Sequence, residues 1–362
     1  MRNILILADL AAPLMLPRIE MLRELPYKKY ILHNANNIQL SQEVLESYRD
    51  DFIVLEHRKI NNLRLRYLNS FCYTLYLLIR LNPKLIVVHW ASRLYQNLLL
   101  ALWGERVIVH TMGGDIDSKQ DFKGKKKRWT QLLLRYCRVI TIKSRAMREM
   151  LSVCDSKIHY LSWGVEDRFL QKTTKEEQLE LQHKLYGREF DYLFFSIRAF
   201  GAFYQQKEIM EAFLQNFRNN SRIGLLVSLF RKDEEYWQSI ADKGSGNIIF
   251  KEIPHNTMDS YLKSCDCVLS FSKSDGFSQS IMEAVALGKW ILTDSITHHS
   301  EVLKDNENAI HCKNVLELAI GFQEALRKIH NTPKFREEAR NFLDCCYQKN
   351  HYFKILGECF NV

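Results

Sequence analysis

The chain has 362 residues, more than one hydrophobic core usually supports, so two domains are expected. A hydrophobic content of 46% with 26% charged residues excludes a disordered or low-complexity chain, and no segment approaches the ~18–20 apolar residues of a membrane-spanning helix. The net charge of +9 calls for an anionic partner or surface without choosing among phosphate, lipid and nucleic acid.

The first apolar run, Asn3 to Ala8, follows Arg2 as a secretory leader might, but Asp9 interrupts it and no small-residue cleavage pattern follows. An opening core strand is the expectation. Further strands are expected at Tyr30–His33, Phe52–Glu56, Leu85–His89, Arg106–His110, Arg138–Ile142 and Lys157–Leu161, mostly rich in Ile, Val and Leu, as strands buried on both faces should be. Amphipathic stretches such as Leu63–Leu81 and Ser144–Cys154 lie between them as helices. This alternation is that of a parallel sheet wrapped by helices.

The basic run Lys123 to Arg128, with Trp129 behind it, is either a solvated loop or an edge resting on anionic lipid. Gly164 to Arg188 breaks the rhythm and holds the domain boundary, giving residues 1–165 as an N-terminal domain and 166–340 as a C-terminal one. In the latter, strands are expected at Tyr192–Ile197, Ile223–Ser228, Asn247–Lys251, Cys267–Phe271 and Trp290–Thr293. Residues 341–362 read as C-terminal helices crossing back to the first domain, with Tyr347, Tyr352 and Phe353 as aromatic anchors.

Nine cysteines without paired CxxC spacing argue against a zinc module or a disulfide framework, and reduced cytosolic thiols are the default. The chemistry concentrates at Ser274 to Glu283 (SDGFSQSIME), a glycine turn opening onto a helix. Gly276 lets a ligand approach the backbone, the amides following Phe277, from Ser278 through Gln279 and Ser280 to Ile281, point out of the helix start, and the helix dipole favours anions there. Glu283, about a turn inside, suits two hydrogen bonds from a vicinal diol. A phosphate at one end and a ribose at the other describe a nucleotide.

Other polar groups stand on strand-end loops, where open parallel sheets take ligands. Arg198 either pairs with a core carboxylate or holds phosphate, and Lys207 follows in the next helix. His110 is either a satisfied core histidine or a functional one, with Gly113, Gly114 and Asp115 beside it. Asp275 either caps the helix or touches a sugar. The pair Asp115 and Asp117 resembles a metal-binding triplet of transferases with another fold, and no metal or other cofactor is expected here.

On these residues the C-terminal half resembles retaining glycosyltransferase family 4, the glycosyl transferases group 1. Its hallmark is a pair of glutamates separated by seven residues, places held here by Asp275 and Glu283, with Ser274, Gly276, Phe277, Ala284 and Gly288 around them. Asp275 replaces the first glutamate and Ser278 the second glycine. The run Leu161–Glu166 (LSWGVE) is similar to the family's crossover, and Phe195–Ala212 to its diphosphate-binding segment, although Lys207 sits further downstream than usual.

The resemblance implies an α/β chain of GT-B type, two Rossmann-like doubly wound domains facing across a cleft. It implies transfer of a sugar from a nucleotide diphosphate to a glycan or lipid-linked glycan with retention of configuration, in bacterial surface polysaccharide or lipopolysaccharide synthesis. Glu283 would bind ribose, Asp275 the transferred sugar, Arg198 and Lys207 the diphosphate, and His110 the sugar near its reacting end. His298 and His299 occupy the place of a glycine-rich loop near the diphosphate. The cytoplasmic face of a membrane would be the setting. A sugar-nucleotide epimerase or hydrolase is the alternative; nucleic-acid binding lacks both a reader motif and a basic stripe with interleaved aromatics.

Overall fold

The computed structural model describes residues 2–10, 12, 15–33, 40, 42–56, 62–91, 93, 95–116, 124–240, 246–273, 276–334 and 339–362. The chain divides into two compact units, Met1–Trp163 with Gln348–Val362, and Gly164–Tyr347.

In the first unit β1 (Asn3–Ala8), α1 (Met15–Glu20), β2 (Lys28–His33), α2 (Gln42–Tyr48), β3 (Phe52–Glu56), α3 (Leu63–Leu81) and β4 (Leu85–His89) follow in order. They are continued by α4 (Gln96–Leu102), β5 (Val107–His110), α5 (Gly124–Tyr136), β6 (Val139–Ile142), α6 (Arg145–Glu149) and β7 (Ile158–Tyr160). The described strands form one parallel sheet in the order β3-β2-β1-β4-β5-β6-β7. β1 is its hinge: Ile4 pairs with Lys29 on one side and with Leu85 on the other. The aliphatic side chains of β4 and β5 are fully buried, as their unbroken apolar runs require.

The second unit holds α7 (Lys175–Tyr186), β8 (Tyr192–Ser196), α8 (Gln206–Phe217), β9 (Ile223–Ser228), α9 (Glu234–Ile240), β10 (Ile248–Lys251) and α10 (Met258–Ser264). Then come β11 (Cys267–Ser270), α11 (Gln279–Ala286), β12 (Trp290–Thr293), β13 (Ala309–His311), α12 (Leu318–Lys328) and α13 (Arg340–Leu343). α14 (Cys345–Phe360) closes the chain. The sheet order β10-β9-β8-β11-β12-β13 repeats the first sheet's plan, with β8 in the place of β1. Both sheets are therefore doubly wound, with switch points between β1 and β4 and between β8 and β11.

Phe194, Phe213, Phe217 and Phe322 fill one face of the second sheet, with Phe194 and Phe322 edge to face at 4.9 Å. Gly321 lets α12 pack closely, since a Cβ there would lie 2.5 Å from Cys312 Sγ and 2.9 Å from Leu292 Cδ1.

The polar stretch in which the sequence suggests a boundary is helix α7, started by a capping box of Thr174 and Glu177. Its inward face is made of amides: Gln178 and Gln182 both donate to the Ser264 carbonyl, so no apolar period betrays the helix. The units divide at Trp163 and Gly164, both with positive φ (76° and 67°). A side chain at Gly164 would also place its Cβ 2.6 Å from the Cys345 backbone.

The helix expected over Ser144–Cys154 ends at Glu149, and the three-residue strand β13, too short to show a period, was not expected. In α14 Tyr352 is fully buried, whereas Tyr347 is exposed and does not anchor. All nine cysteines are free. No helix among the described residues is long and apolar enough to cross a membrane.

Candidate active site

The second sheet delivers small hydroxyl residues to its carboxyl edge: Ser196 ends β8, Ser270 ends β11 and Thr293 ends β12. Small side chains at this edge leave room for the loops that follow. Arg198, two residues beyond β8, turns its guanidinium to the Ser278 hydroxyl and lies 5.1 Å from the Tyr204 ring centre. Ser278 is the N-cap of α11, in extended backbone, and its hydroxyl meets Arg198 and Ser280 Oγ (2.8 Å) instead of capping its own helix. The amides of Gln279, Ser280 and Ile281 fall among the opening donors that have no partner within a helix.

Two aromatic contacts hold this turn. Phe277 is buried against His299 and Phe342, at 4.9 and 5.1 Å. The Ser278 N–H donates to His299 Nε2 at 2.9 Å, while His299 Nδ1 lies 2.9 Å from the Ser295 carbonyl. A carbonyl only accepts and an amide N–H only donates, so His299 is neutral with its proton on Nδ1. Gln279 reaches back through Nε2 to the Gly164 carbonyl at 2.8 Å. Gly276 is buried in the same turn; Ser274 and Asp275 lie outside the described residues.

Glu283 sits one turn into α11 and is 4% exposed. Burial pushes its carboxyl above the usual range, against a smaller opposing effect of His255. Its Oε1 lies 3.7 Å from His255 Nε2, within ion-pair range but beyond a direct hydrogen bond. His255 Nδ1 is in turn 3.2 Å from Arg168, which also pairs with Glu166 at 3.0 Å and with Asp259 at 3.5 Å. A buried carboxylate beside an imidazole and a guanidinium is an acceptor for hydroxyls held in place by its neighbours. Neither His255 nor Arg168 is marked by the sequence: each stands in a three-residue 3-10 turn, His255–Thr257 and Asp167–Phe169, too short to show a spacing pattern.

Lys207 lies half-buried in the first turn of α8, where its N–H donates to the Tyr236 hydroxyl at 2.8 Å. Among the described residues its ammonium makes no ion pair. His298 is half-buried beside His299 in the loop after β12.

The first unit treats its expected residues differently. His110 is fully buried, with Nδ1 2.6 Å from Thr141 Oγ1 and Nε2 3.0 Å from the Tyr352 hydroxyl. Burial, then Arg18, pushes its ring well below the ordinary histidine range. Both of its ring nitrogens are therefore engaged inside the first unit in this structure. Asp115 is likewise buried, accepting N–H donors from Ala91 (2.6 Å), Met112 (2.9 Å) and Gly113 (3.1 Å). It clasps the loop after β5, in which Gly113 has a φ of 104° and Gly114 is half-buried, while Asp117 lies outside the described residues.

Residues 191–342 match the model of the family Glycosyl transferases group 1. Comparison with curated protein sequences returns no match. Among solved structures, HepE of Anabaena in complex with UDP and glucose aligns over 99% of this chain and 100% of its own, with a TM-score of 0.77 at 15% identity. Sucrose-phosphate synthase from Thermosynechococcus elongatus aligns over 100% of both chains, with a TM-score of 0.75 at 10% identity. UDP-GlcNAc 2-epimerase from Methanocaldococcus jannaschii aligns over 98% of this chain and 99% of its own, with a TM-score of 0.63 at 14% identity. At such identities the likeness concerns the fold. The chain has the GT-B fold of two Rossmann-like domains, and most of its second unit matches the glycosyl transferases group 1 model.

Proposed function

We propose that this protein is a retaining glycosyltransferase of family 4 type that uses a nucleoside-diphosphate sugar. The observation that carries this is the pairing of Arg198 with the N-cap of α11 one turn ahead of the buried Glu283, inside the segment that matches the group 1 family. The diphosphate lies on Arg198, Lys207 and the amides of Gly276, Phe277, Gln279 and Ser280, and the ribose hydroxyls bond to Glu283. Asp275 takes the hydroxyls of the transferred hexose. The C–O bond to the diphosphate breaks, the acceptor oxygen attacks from the same face, and its proton passes to the departing diphosphate. Charge grows on that leaving group, so the arginine, lysine and amides stabilise the transition state more than the ground state. They do so without a metal in this reading. HepE binds UDP and glucose, which supports a nucleotide sugar as donor.

Thermal unfolding against a panel of nucleotide sugars tests the first half. A donor at a hundred times its dissociation constant adds about 2.7 kcal/mol, a shift of several degrees. Release of nucleoside diphosphate only when acceptor is present tests the second. Isomerisation of the donor sugar without acceptor would replace transfer by the epimerase reading, which the likeness to the 2-epimerase keeps in view.

The acceptor is a glycan or lipid-linked glycan of a bacterial surface polysaccharide or lipopolysaccharide pathway, reached at the cytoplasmic face of the membrane. Support comes from α3, which exposes Leu65, Leu68, Cys72, Tyr76 and Ile79 along one stripe at helical spacing. α3, α4 and α5 contain no Asp or Glu, while Arg64, Arg66 and Arg80 lie in α3 and five more Lys and Arg lie in α5. Lys127 and Arg128, from the basic run singled out in the sequence, are exposed, and Tyr95 links Trp129 to Tyr67 at ring distances of 6.3 and 6.2 Å. An apolar stripe flanked by cations and aromatic rings suits an anionic bilayer. Replacing Leu68 and Ile79, 58% and 65% exposed, by glutamate should release the protein from phosphatidylglycerol vesicles without lowering its melting temperature; undiminished retention would rule that face out.

A further inference from the structure

We propose that the first unit carries an anion-binding subsite built on Arg18 and His89, which takes an ionised phosphate or carboxylate group of the acceptor. The assignment to an acceptor rests on the transfer reading above; the anion site itself does not.

Arg18 lies in α1, the helix that follows β1, beside the switch point between β1 and β4. Its side chain is 2% exposed. Nη1 donates to Met112 Sδ at 2.6 Å, and the guanidinium carbon lies 5.3 Å from the Trp163 ring centre. Nη2 is buried and has no hydrogen-bond partner among the described residues. Both neighbours are uncharged, and a thioether is a weak acceptor. The cation is thus withdrawn from water with no carboxylate paired to it among the described residues, and burial brings it down to about 9. Arg93, equally buried, is treated otherwise: it donates to the Leu7 and His89 carbonyls (2.9 and 2.6 Å), and Asp9 and Asp115 oppose its charge.

His89 supplies the second, independent observation. It ends β4, it is buried, and neither ring nitrogen has a partner among the described residues. Its ring lies 4.7 Å from that of His110 and 5.8 Å from that of Trp163. Both side chains rest on the Trp163 ring, Arg18 at 5.3 Å and His89 at 5.8 Å, which brings the unmatched donors together. Buried polar groups are ordinarily paired, and buried charges doubly so. Two unpaired groups from two elements, at the carboxyl edge of an open parallel sheet beside its switch point, stand where such sheets take ligands. A planar guanidinium matches a carboxylate or phosphate by two parallel hydrogen bonds, and a neutral imidazole adds one. The Met112 and Gly113 amides are already held by Asp115, so the side chains are the donors on offer.

Inorganic phosphate is the probe, titrated at constant ionic strength in an Arg198→Met background so that the second unit's guanidinium does not contribute. Its melting temperature should rise saturably with phosphate. Adding Arg18→Met should abolish that rise while leaving the phosphate-free melting temperature equal or higher, because a buried unmatched charge is gone; Arg18→Lys should keep part of the response. A full phosphate response in Arg18→Met would overturn the site. So would a melting temperature that falls in both variants while phosphate leaves the parent unmoved, since Arg18 would then be a packing residue on Trp163. The acceptor assignment is read separately, with glucose, glucuronic acid and glucose 6-phosphate as acceptors. Arg18→Met should lower kcat/KM at least tenfold for a charged acceptor and leave glucose unchanged. Phosphate binding without such discrimination would make this a site for free phosphate and overturn the acceptor role. Absence of transfer to any acceptor would count against the transferase reading while leaving the phosphate result standing.

Discussion

Glu283→Gln should cut donor-dependent sugar transfer about tenfold to a hundredfold while the protein stays folded. Glutamine keeps the shape but exchanges one carboxylate oxygen for a donor, so one of two charge-assisted hydrogen bonds to a diol is lost, about 1.5–3 kcal/mol. Steady-state kinetics over a donor titration measures it, and transfer at the parental rate would remove Glu283 from the site. Stability gives a second readout. Burial raises the folded-state pKa of Glu283, so between the unfolded and folded values the native state binds more protons. Its contribution therefore turns against folding as pH rises through that window from the ordinary carboxyl value of 4.5. Glu283→Gln should accordingly melt higher than the parent at neutral pH and equal it at acid pH. A variant that melts lower at neutral pH would show that the interaction with His255 outweighs the burial.

Arg198→Met should weaken nucleoside-diphosphate binding about tenfold to a hundredfold, since a hydrogen bond to a charged group contributes about 1.5–3 kcal/mol. The matching nucleoside, which lacks the phosphates, should bind as before. Titration calorimetry of both ligands separates the two possible roles of this side chain. Equal losses for nucleoside and diphosphate would mean that Arg198 acts only by holding Ser278 at the head of α11. A loss confined to the diphosphate, shrinking at high salt, is the expected result.

These two residues were legible in the sequence for different reasons. Glu283 stands at a fixed distance behind a glycine turn, and local spacing is what a helix preserves. Arg198 follows a strand buried on both faces, and strand-end loops are where a doubly wound sheet exposes polar groups. His110 meets the same positional criterion, but its partners were not legible: Thr141 and Tyr352, the latter 242 positions away, come to its two nitrogens. Position along a strand is local; who fills the space beyond its end is not. The inward face of α7 was hidden for a related reason, since its glutamines look like surface residues until the Ser264 carbonyl is brought beneath them.

By itself the sequence determined two doubly wound sheets, through apolar runs at strand length alternating with amphipathic helices, and the turn and helix that carry Glu283. Tertiary structure decided which polar groups meet: Arg198 with Ser278, His299 with the same residue's amide, His255 with Glu283, and Arg18 with the Met112 thioether. Periodicity and spacing report how each segment contacts an average interior. The partners of a charged side chain depend on strand order and loop paths, which bring residues tens to hundreds of positions apart within a few ångströms.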